Sequence, residues 1–225
     1  TLRTLMSNPS RHSLAFSAAA SLRESTFTKS TFNYLERLQG CFNTINLEAV
    51  EKLAYELYKA WVDGRNVYIC GNGGSAANAI HIANDLHYGI GACGVGKKLP
   101  GLRVEALSSN IGVITCLAND TGYENIFSHQ LEVKSEKNDL LIALSGSGKS
   151  PNIIKALATA NQIGVKTFAI LAFDGGPCKE IAKTVIHFEI NDMQIAEDTQ
   201  LVVGHLCMQW LNSHKPDQIK PLNNG

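Results

Sequence analysis

Four polar side chains on two predicted helices have the types and spacing for proton transfer or metal binding. His81 and Asp85 are four residues apart, so both face the same side of a helix, one turn apart. Glu197 and His205 are eight residues apart on the last predicted helix. Two imidazoles and two carboxylates could transfer protons or hold a divalent metal, and Zn²⁺ suits this set best. Because eight helical residues rise about 12 Å, Glu197 and His205 reach one ion only if both side chains lean inward.

An alternative interpretation makes both histidines structural. His81 lies between Ile80 and Ile82, and His205 lies in the apolar segment 202–208. A histidine in such a setting is often a core residue with its hydrogen bonds satisfied. For each histidine alone the structural interpretation is the stronger one. The two together, in a chain that also carries two glycine- and serine-rich loops, favour a function.

The first of these loops follows the first predicted strand. The segment 67–70 is short, apolar and β-prone, and residues 71–75 read Gly-Asn-Gly-Gly-Ser before a helix begins. Backbone N–H groups and the helix dipole favour an anion at such a turn, and Ser75 could cap the helix. The loop lacks the lysine of a Walker A sequence and the spacing of a dinucleotide-binding turn. An ordinary α/β turn is the alternative. The candidate substrate-binding residues here are Asn72, Gly73, Gly74 and Ser75.

The second loop repeats the arrangement. The apolar segment 140–144 leads into Ser-Gly-Ser-Gly-Lys-Ser, and Pro151 suits the first helical position, which makes Ser150 the cap. The hydroxyls and the neighbouring N–H groups can donate to phosphate oxygens, and Lys149 adds positive charge. A serine-rich turn is the alternative. The candidate substrate-binding residues here are Ser145, Gly146, Ser147 and Ser150. Two such loops at strand ends place a ligand in a crevice at the carboxyl edge of a sheet.

The order of the elements that carry these residues predicts an α/β fold. Five predicted strands alternate with helices, which is typical of a parallel sheet covered on both faces. Two amphipathic helices precede the first strand, and we expect them to form a helical hairpin. The predicted strands are 66–70, 104–108, 140–145, 167–172 and 185–190.

We expect one domain between two tails. Residues 1–28 predict a flexible tail, whose first 23 residues also resemble an organelle transit peptide. Residues 29–214 predict a single domain that includes the helical hairpin, and residues 215–225 predict a polar tail. The glycine-rich residues 87–103 predict a mobile loop inside the domain.

The composition argues against several kinds of partner. The chain has 20 basic and 20 acidic residues, so it has no electrostatic footprint for nucleic acid or an anionic membrane. No apolar run approaches the roughly 20 residues that span a bilayer. Its six scattered cysteines, without a Cys-x-x-Cys, are typical of reduced thiols. We therefore expect a cytoplasmic protein with no nucleic-acid or membrane partner.

Three motifs together resemble the sugar isomerase (SIS) domain. They are Gly-Asn-Gly-Gly-Ser at 71–75, Leu-Ala-Asn-Asp-Thr-Gly-Tyr-Glu-Asn at 117–125 and Ser-Gly-Ser-Gly-Lys-Ser at 145–150. Over residues 32–213 the chain is similar to the phosphoheptose isomerase branch of that family. The resemblance implies a flavodoxin-like, three-layer αβα sandwich around a five-stranded parallel sheet. It also implies a homotetramer with active sites at subunit interfaces.

The resemblance also implies roles for particular residues. His81 and His205 match the two histidines of the family pattern, which supply the acid, the base and, in some members, a zinc site. Asp85 replaces the family's Glu and is one methylene shorter, and Glu197 replaces a neutral Gln. Asp85 and His205 are thus the candidate catalytic residues, and Glu197 and Asp120 are candidate substrate contacts; a turn-forming role is the alternative for Asp120. The candidate ligands of one Zn²⁺ per subunit are His81, Asp85, Glu197 and His205.

Two classes of function follow. The first is an aldose–ketose isomerase that moves a proton between adjacent carbons through an enediol, converting sedoheptulose 7-phosphate to D-glycero-D-manno-heptose 7-phosphate. The second is a non-catalytic SIS domain, either a sugar-phosphate sensor or a protein-interaction factor of the replication-initiator-binding type. The aspartate at position 85 favours the second class. The retained His81, Glu197 and His205 favour the first, because a binding domain does not need them.

Overall fold

A computed structural model describes residues 25–94 and 96–220 of the chain. The described residues fall into two units, of which the first contains helix α1, Thr26–Asn43. The second unit begins at Thr44 and contains all the other elements. The transit-peptide resemblance lies outside the described residues, and the helical hairpin stays a prediction.

The second unit is built on five parallel strands, as predicted. The sheet order is β2-β1-β3-β4-β5, which confirms the flavodoxin-like α/β architecture. Strands β2 and β5 end earlier than expected, although the N–H of Phe188 still bonds to the carbonyl of Leu171 beyond the end of β5. The strands are β1 (Asn66–Gly71), β2 (Arg103–Ala106), β3 (Leu140–Ser145), β4 (Lys166–Leu171) and β5 (Thr184–His187).

Eight helices follow α1 in the described chain. Some are regular and long, while α4 and α8 are single turns. They are α2 (Leu47–Asp63), α3 (Gly74–Asn84), α4 (Ile90–Ala92), α5 (Ile111–Asp120), α6 (Ser128–Lys134), α7 (Pro151–Ile163), α8 (Cys178–Ile181) and α9 (Met193–Ser213). A 3₁₀ turn, Tyr123–Asn125, precedes α6.

The sheet is covered on both faces because its strands alternate their side chains between two helical layers. On one face Tyr68 and Cys70 of β1 pack in a buried cluster with residues of α6 and α7, such as Leu131 and Leu157. On the other face α2 and α3 contact the sheet, and α9 packs on both of these helices. This is the predicted three-layer αβα sandwich.

The strand order also fixes where a ligand can bind. The chain leaves β1 toward β2 on one side and later returns to β3 on the other, so the topological switch point lies between β1 and β3. Gly71, at the end of β1, is in register with Leu144 of β3. The two predicted anion loops therefore emerge side by side at the carboxyl edge of the sheet.

Helix α3 passes into a wider helical turn at its C-terminal end. The segment Asp85–Gly89 is a π-helical turn, in which the N–H of Ile90 bonds to the carbonyl of Asp85. The helix that begins at Gly74 therefore changes type at Asp85. Turns of this kind are frequent at functional sites.

The glycine-rich segment that follows is tied to the end of α9. The side-chain amide of Asn212 donates to the carbonyls of Gly89, Ile90 and Cys93 over 3.0–3.2 Å. The Lys215 ammonium also donates to the carbonyl of Cys93 and to two further carbonyls, those of Gly91 and Lys97. The sequence predicts a mobile loop because glycines are visible in it, whereas the remote donors that hold the loop are not.

The described part of the polar C-terminal tail is also hydrogen-bonded to the domain. The N–H of Lys220 bonds to the carbonyl of Val62 at the end of α2. Among the described residues, no helix combines the length and the hydropathy needed to cross a membrane.

Candidate active site

Two histidines and an aspartate meet between α3 and α9. The Nε2 atoms of His81 and His205 are 2.9 Å apart, and each lies 3.5 Å from Oδ2 of Asp85. The two imidazole side chains are 51% and 45% exposed, and that of Asp85 is 22% exposed. Both histidines are therefore partly exposed to solvent, so neither has the core position that the structural interpretation assumes.

A close approach of the two helices brings the histidines together. A Cβ added at Gly204 would lie 2.7 Å from Cγ1 of Ile82, one residue away from each histidine. Only glycine at position 204 allows the helices to pack this closely. Buried polar groups of α3 and α9 join the helices one turn earlier, where Asn78 donates to the Gln200 side chain.

The three side chains fit a zinc ion. Ligand atoms about 2.0–2.1 Å from a tetrahedral Zn²⁺ are about 3.3 Å from one another. The observed separations of 2.9, 3.5 and 3.5 Å match this triangle, with Nε2 of each imidazole and one carboxylate oxygen as the ligand atoms. Three protein ligands leave a fourth position open, as in catalytic rather than structural zinc sites.

Glu197 lies apart from the histidine cluster. In the described part of the chain, the group of potential ligands within 4.8 Å of one another is His81, Asp85 and His205, without Glu197. The Glu197 carboxylate instead lies against the first turn of α3, where a Cβ at Gly74 would overlap it. The reason is the eight-residue separation on α9, which places Glu197 about two turns from His205.

The first loop makes a tight turn, and the hydroxyl oxygen of its serine already accepts a hydrogen bond. Gly73 has φ +54° at the N-cap of α3 and provides no side-chain cap, so the predicted capping by Ser75 is wrong. Ser75 is buried, and its Oγ accepts a hydrogen bond of 3.0 Å from Nε2 of Gln200. A Cβ added at Gly71 would lie 2.7 Å from the carbonyl carbon of Ser75, so the turn requires glycine there.

The second loop carries three serine hydroxyls, two of which accept backbone hydrogen bonds. Oγ of Ser145 accepts from the N–H of Gly148, and Oγ of Ser147 accepts from the N–H of Lys149, over 3.1 and 3.3 Å. Ser150 occupies the N-cap of α7, but its side chain makes no capping hydrogen bond. The three hydroxyls therefore belong to one short loop that precedes a helix.

An ion pair and a close contact with α9 determine the local charge and the position of the second loop. The ammonium of Lys149 lies 2.8 Å from Oδ2 of Asp174, and the hydrogen bond from Lys149 lowers the pKa of that carboxyl. A Cβ added at Gly146 would lie 2.7 Å from Sδ of Met193, so the loop contacts the start of α9. The positive charge that we expected for phosphate is thus shared with a carboxylate.

Asn72 connects the two loops. Its side chain forms a reciprocal pair of 2.9 Å hydrogen bonds with the buried Asn152 of α7, and the Tyr123 hydroxyl donates to the same Asn72 oxygen. Neither Asn152 nor Tyr123 is among the site residues predicted from the sequence. A signal for Asn152 was its position two residues after Ser150 at a helix start. Asp120 contacts Asn119 and Cys116 of its own helix α5.

Comparison with known protein families matches residues 27–172 to the SIS domain. The chain belongs to the SIS domain family. This SIS-domain chain is 34% identical over 183 residues to the phosphoheptose isomerase of Chlorobaculum parvum, which covers 80% of the chain and 85% of that relative. It is 35% identical over 164 residues to the phosphoheptose isomerase of Akkermansia muciniphila, covering 73% of the chain and 82% of the relative. These relatives support its place in the phosphoheptose isomerase branch.

Solved structures show that the SIS fold is shared as well. The phosphoheptose isomerase from Neisseria gonorrhoeae matches with a TM-score of 0.74 at 22% identity, and that from Francisella tularensis with 0.75 at 21% identity. Each match covers 84% of this chain and all of the other chain. The predicted fold is therefore confirmed.

Proposed function

We propose that this SIS-domain protein is a phosphoheptose isomerase that converts sedoheptulose 7-phosphate to D-glycero-D-manno-heptose 7-phosphate. The observation that carries the proposal is the meeting of His81, Asp85 and His205 at the C-terminal end of α3. The N-terminus of the same helix directly follows the first glycine-rich loop, the predicted phosphate site. Relatives called phosphoheptose isomerase support the substrate class.

The substrate would lie along α3. His81 is seven residues after Gly74, which is about 10 Å along the helix. A ketose phosphate carries its phosphate and its carbonyl toward opposite ends, so an extended molecule suits this separation. The phosphate would contact the serine loops, and the carbonyl end would reach the histidines. Glu197, which faces the first turn of α3, and Asp120 are proposed substrate contacts.

Isomerisation needs a base for the carbon-bound proton and an acid for the neighbouring oxygen. We assign the base to Asp85 and the acid to His205, which are the candidate catalytic residues implied by the family resemblance and whose Oδ2 and Nε2 atoms lie 3.5 Å apart. In the 2.9 Å contact between the two Nε2 atoms one imidazole donates and the other accepts, and as the acid His205 would be the donor. These groups would move the proton between the two carbons through an enediol.

The same three side chains would hold Zn²⁺, one ion per subunit, as a second way to use the site. When bound, the ion would polarise the carbonyl oxygen of the sugar. A side chain that ligates the ion through a given atom cannot transfer a proton through that atom. Elemental analysis of the purified protein therefore decides between the two roles of the cluster.

Self-association, with a homotetramer and interfacial active sites, is part of the proposal. Helix α5 has the sequence Ile-Gly-Val-Ile-Thr-Cys-Leu-Ala-Asn-Asp, yet none of its residues is buried, and Ile111 is 72% exposed. An apolar helix of this kind supports a partner surface. Light scattering on the purified protein measures the assembly. A cytoplasmic location is proposed on the free thiols of all six cysteines.

The test is direct. The protein is incubated with sedoheptulose 7-phosphate, with zinc or with a chelator, and the sugar is followed by NMR. We expect conversion that is lost in His205→Asn. The matched control is His129→Asn, since His129 is an exposed histidine of α6 that pairs with Glu132 and should leave turnover unchanged. Tight binding without conversion in either condition would refute the isomerase and support the sensor.

A further inference from the structure

A buried glutamine controls the direction of one hydrogen bond in the first loop. Gln200 of α9 is 1% exposed. Its Nε2 donates to Oγ of Ser75 over 3.0 Å, and its Oε1 accepts from Nδ2 of Asn78 over 3.0 Å. A glutamine side chain thus joins the serine of the first loop to the middle of α3.

A backbone carbonyl fixes the direction of these hydrogen bonds, because it can only accept. Nδ2 of Asn78 also donates to the backbone carbonyl of Glu197 over 2.9 Å, and a carbonyl oxygen only accepts. The Asn78 amide nitrogen must therefore face α9, so the Gln200 oxygen must face Asn78. It follows that the Gln200 nitrogen faces Ser75 and that the Ser75 oxygen is an acceptor.

This direction decides what Ser75 can offer to a ligand. A hydroxyl has one proton, and an oxygen that accepts from the protein leaves that proton for another acceptor. Ser145 and Ser147 are in the same state, because backbone N–H groups donate to both hydroxyl oxygens. The three serines thus present protons, which suits a ligand that only accepts, such as an ionised phosphate ester.

The serines differ in which group donates the hydrogen bond to their hydroxyl oxygen. For Ser145 and Ser147 the donor belongs to the backbone, whereas for Ser75 it belongs to a side chain. We propose that Gln200 is a positioning residue, which directs the Ser75 hydroxyl proton toward the phosphate of the substrate. The inference rests on the proposed function, because it takes a sugar phosphate as the ligand.

The test is Gln200→Glu, alone and combined with Ser75→Ala. Glutamate has the same shape and still accepts from Asn78, but its second oxygen takes the Ser75 proton and reverses the bond. Calorimetry with sedoheptulose 7-phosphate should show about ten- to hundredfold weaker binding than wild type, the loss expected for one hydrogen bond to a charged group. In the Ser75→Ala protein, Gln200→Glu should change the affinity less than about twofold.

Two further variants separate this effect from misfolding and from charge. Gln130→Glu is the matched control, since Gln130 is also buried and donates to the carbonyls of Leu107 and Ile126, far along the chain from Ser75. It should lower Tm and leave the affinity unchanged. Gln200→Met removes the donor without adding charge, and should raise KM about threefold or more while kcat stays constant.

The outcomes decide between distinct explanations. An equal loss of affinity from Gln200→Glu with and without the Ser75 hydroxyl would show that the new charge repels the ligand directly, and would overturn the inference. Unchanged affinity in both Gln200 variants would overturn it too. If wild-type protein does not bind sedoheptulose 7-phosphate, the proposed function fails, which is a different result.

Discussion

The close contact of α3 and α9 predicts that Gly204→Ala will damage the active site without unfolding the protein. The new Cβ would lie 2.7 Å from Cγ1 and 2.9 Å from Cδ1 of Ile82. Non-bonded carbons prefer about 3.5–4.0 Å, so the helices must separate by about 1 Å. The distance between the His81 and His205 Nε2 atoms would then rise from 2.9 Å to about 3.9 Å, which is too long for a hydrogen bond.

The energetic cost of this substitution is small compared with its functional cost. Overpacking costs about 1–3 kcal/mol, and alanine returns about 1 kcal/mol of helix propensity, so we expect a net loss of about 0–2 kcal/mol. A misplacement of about 1 Å in a catalytic group can cost about a hundredfold in rate. We therefore expect kcat to fall about a hundredfold, with weaker zinc binding and a folded protein.

The assay measures kcat with sedoheptulose 7-phosphate, zinc affinity by competition with a chelator, and Tm. Gly40→Ala in α1 is the matched control, because nothing lies within 4 Å of its new Cβ. It should leave kcat and zinc affinity nearly unchanged and should not lower Tm. Adding Ile82→Ala to Gly204→Ala removes the clashing atoms and should restore activity. A fully active Gly204→Ala protein with raised Tm would refute the argument from helix spacing.

Three further predictions follow from the same contacts. Glu197→Gln should leave zinc affinity within about twofold, because this carboxylate lies outside the histidine cluster. It should strengthen sugar-phosphate binding, because the carboxylate lies near the loops and repels an anion. A loss of zinc binding in this variant would show that Glu197 is a zinc ligand. Asp85→Asn should lower zinc affinity at least about tenfold in the same chelator assay, while His81 and His205 keep their places. Burial raises the pKa of Cys178 to about 11 and that of Cys207 to about 12, so both thiols stay protonated at pH 8. They should therefore resist iodoacetamide, which mass spectrometry measures. Alkylation of either thiol in the folded protein would contradict this.

The sheet and the loops were predictable because their signals are local. Each strand is a short apolar run between turn residues, and each loop joins such a run to a helix start. Pro151 and Ser150 mark the beginning of α7 in the sequence as they do in the structure. The four-residue spacing of His81 and Asp85 also translates directly into one helical face.

What the sequence does not predict depends on contacts between distant residues. The Ser75 hydroxyl faces Gln200 because α9 packs on α3, and Asn152 reaches Asn72 because β1 and β3 are neighbours. The position of Glu197 follows from the same packing. Periodicity places each residue on a face of its own helix, but it does not state which residue of another helix lies opposite.

The π-helical turn at Asp85–Gly89 has a consequence for chain length in this family of folds. The turn contains one residue more than an α-helical path would need between Asp85 and Ile90. Losing one residue here would narrow the turn to an α-helical one, while the helix before Asp85 and the segment after Gly89 keep their register and their contacts with Asn212 and Lys215. A change of one residue in chain length can therefore be absorbed at this turn, next to Asp85, without moving either flank of the helix.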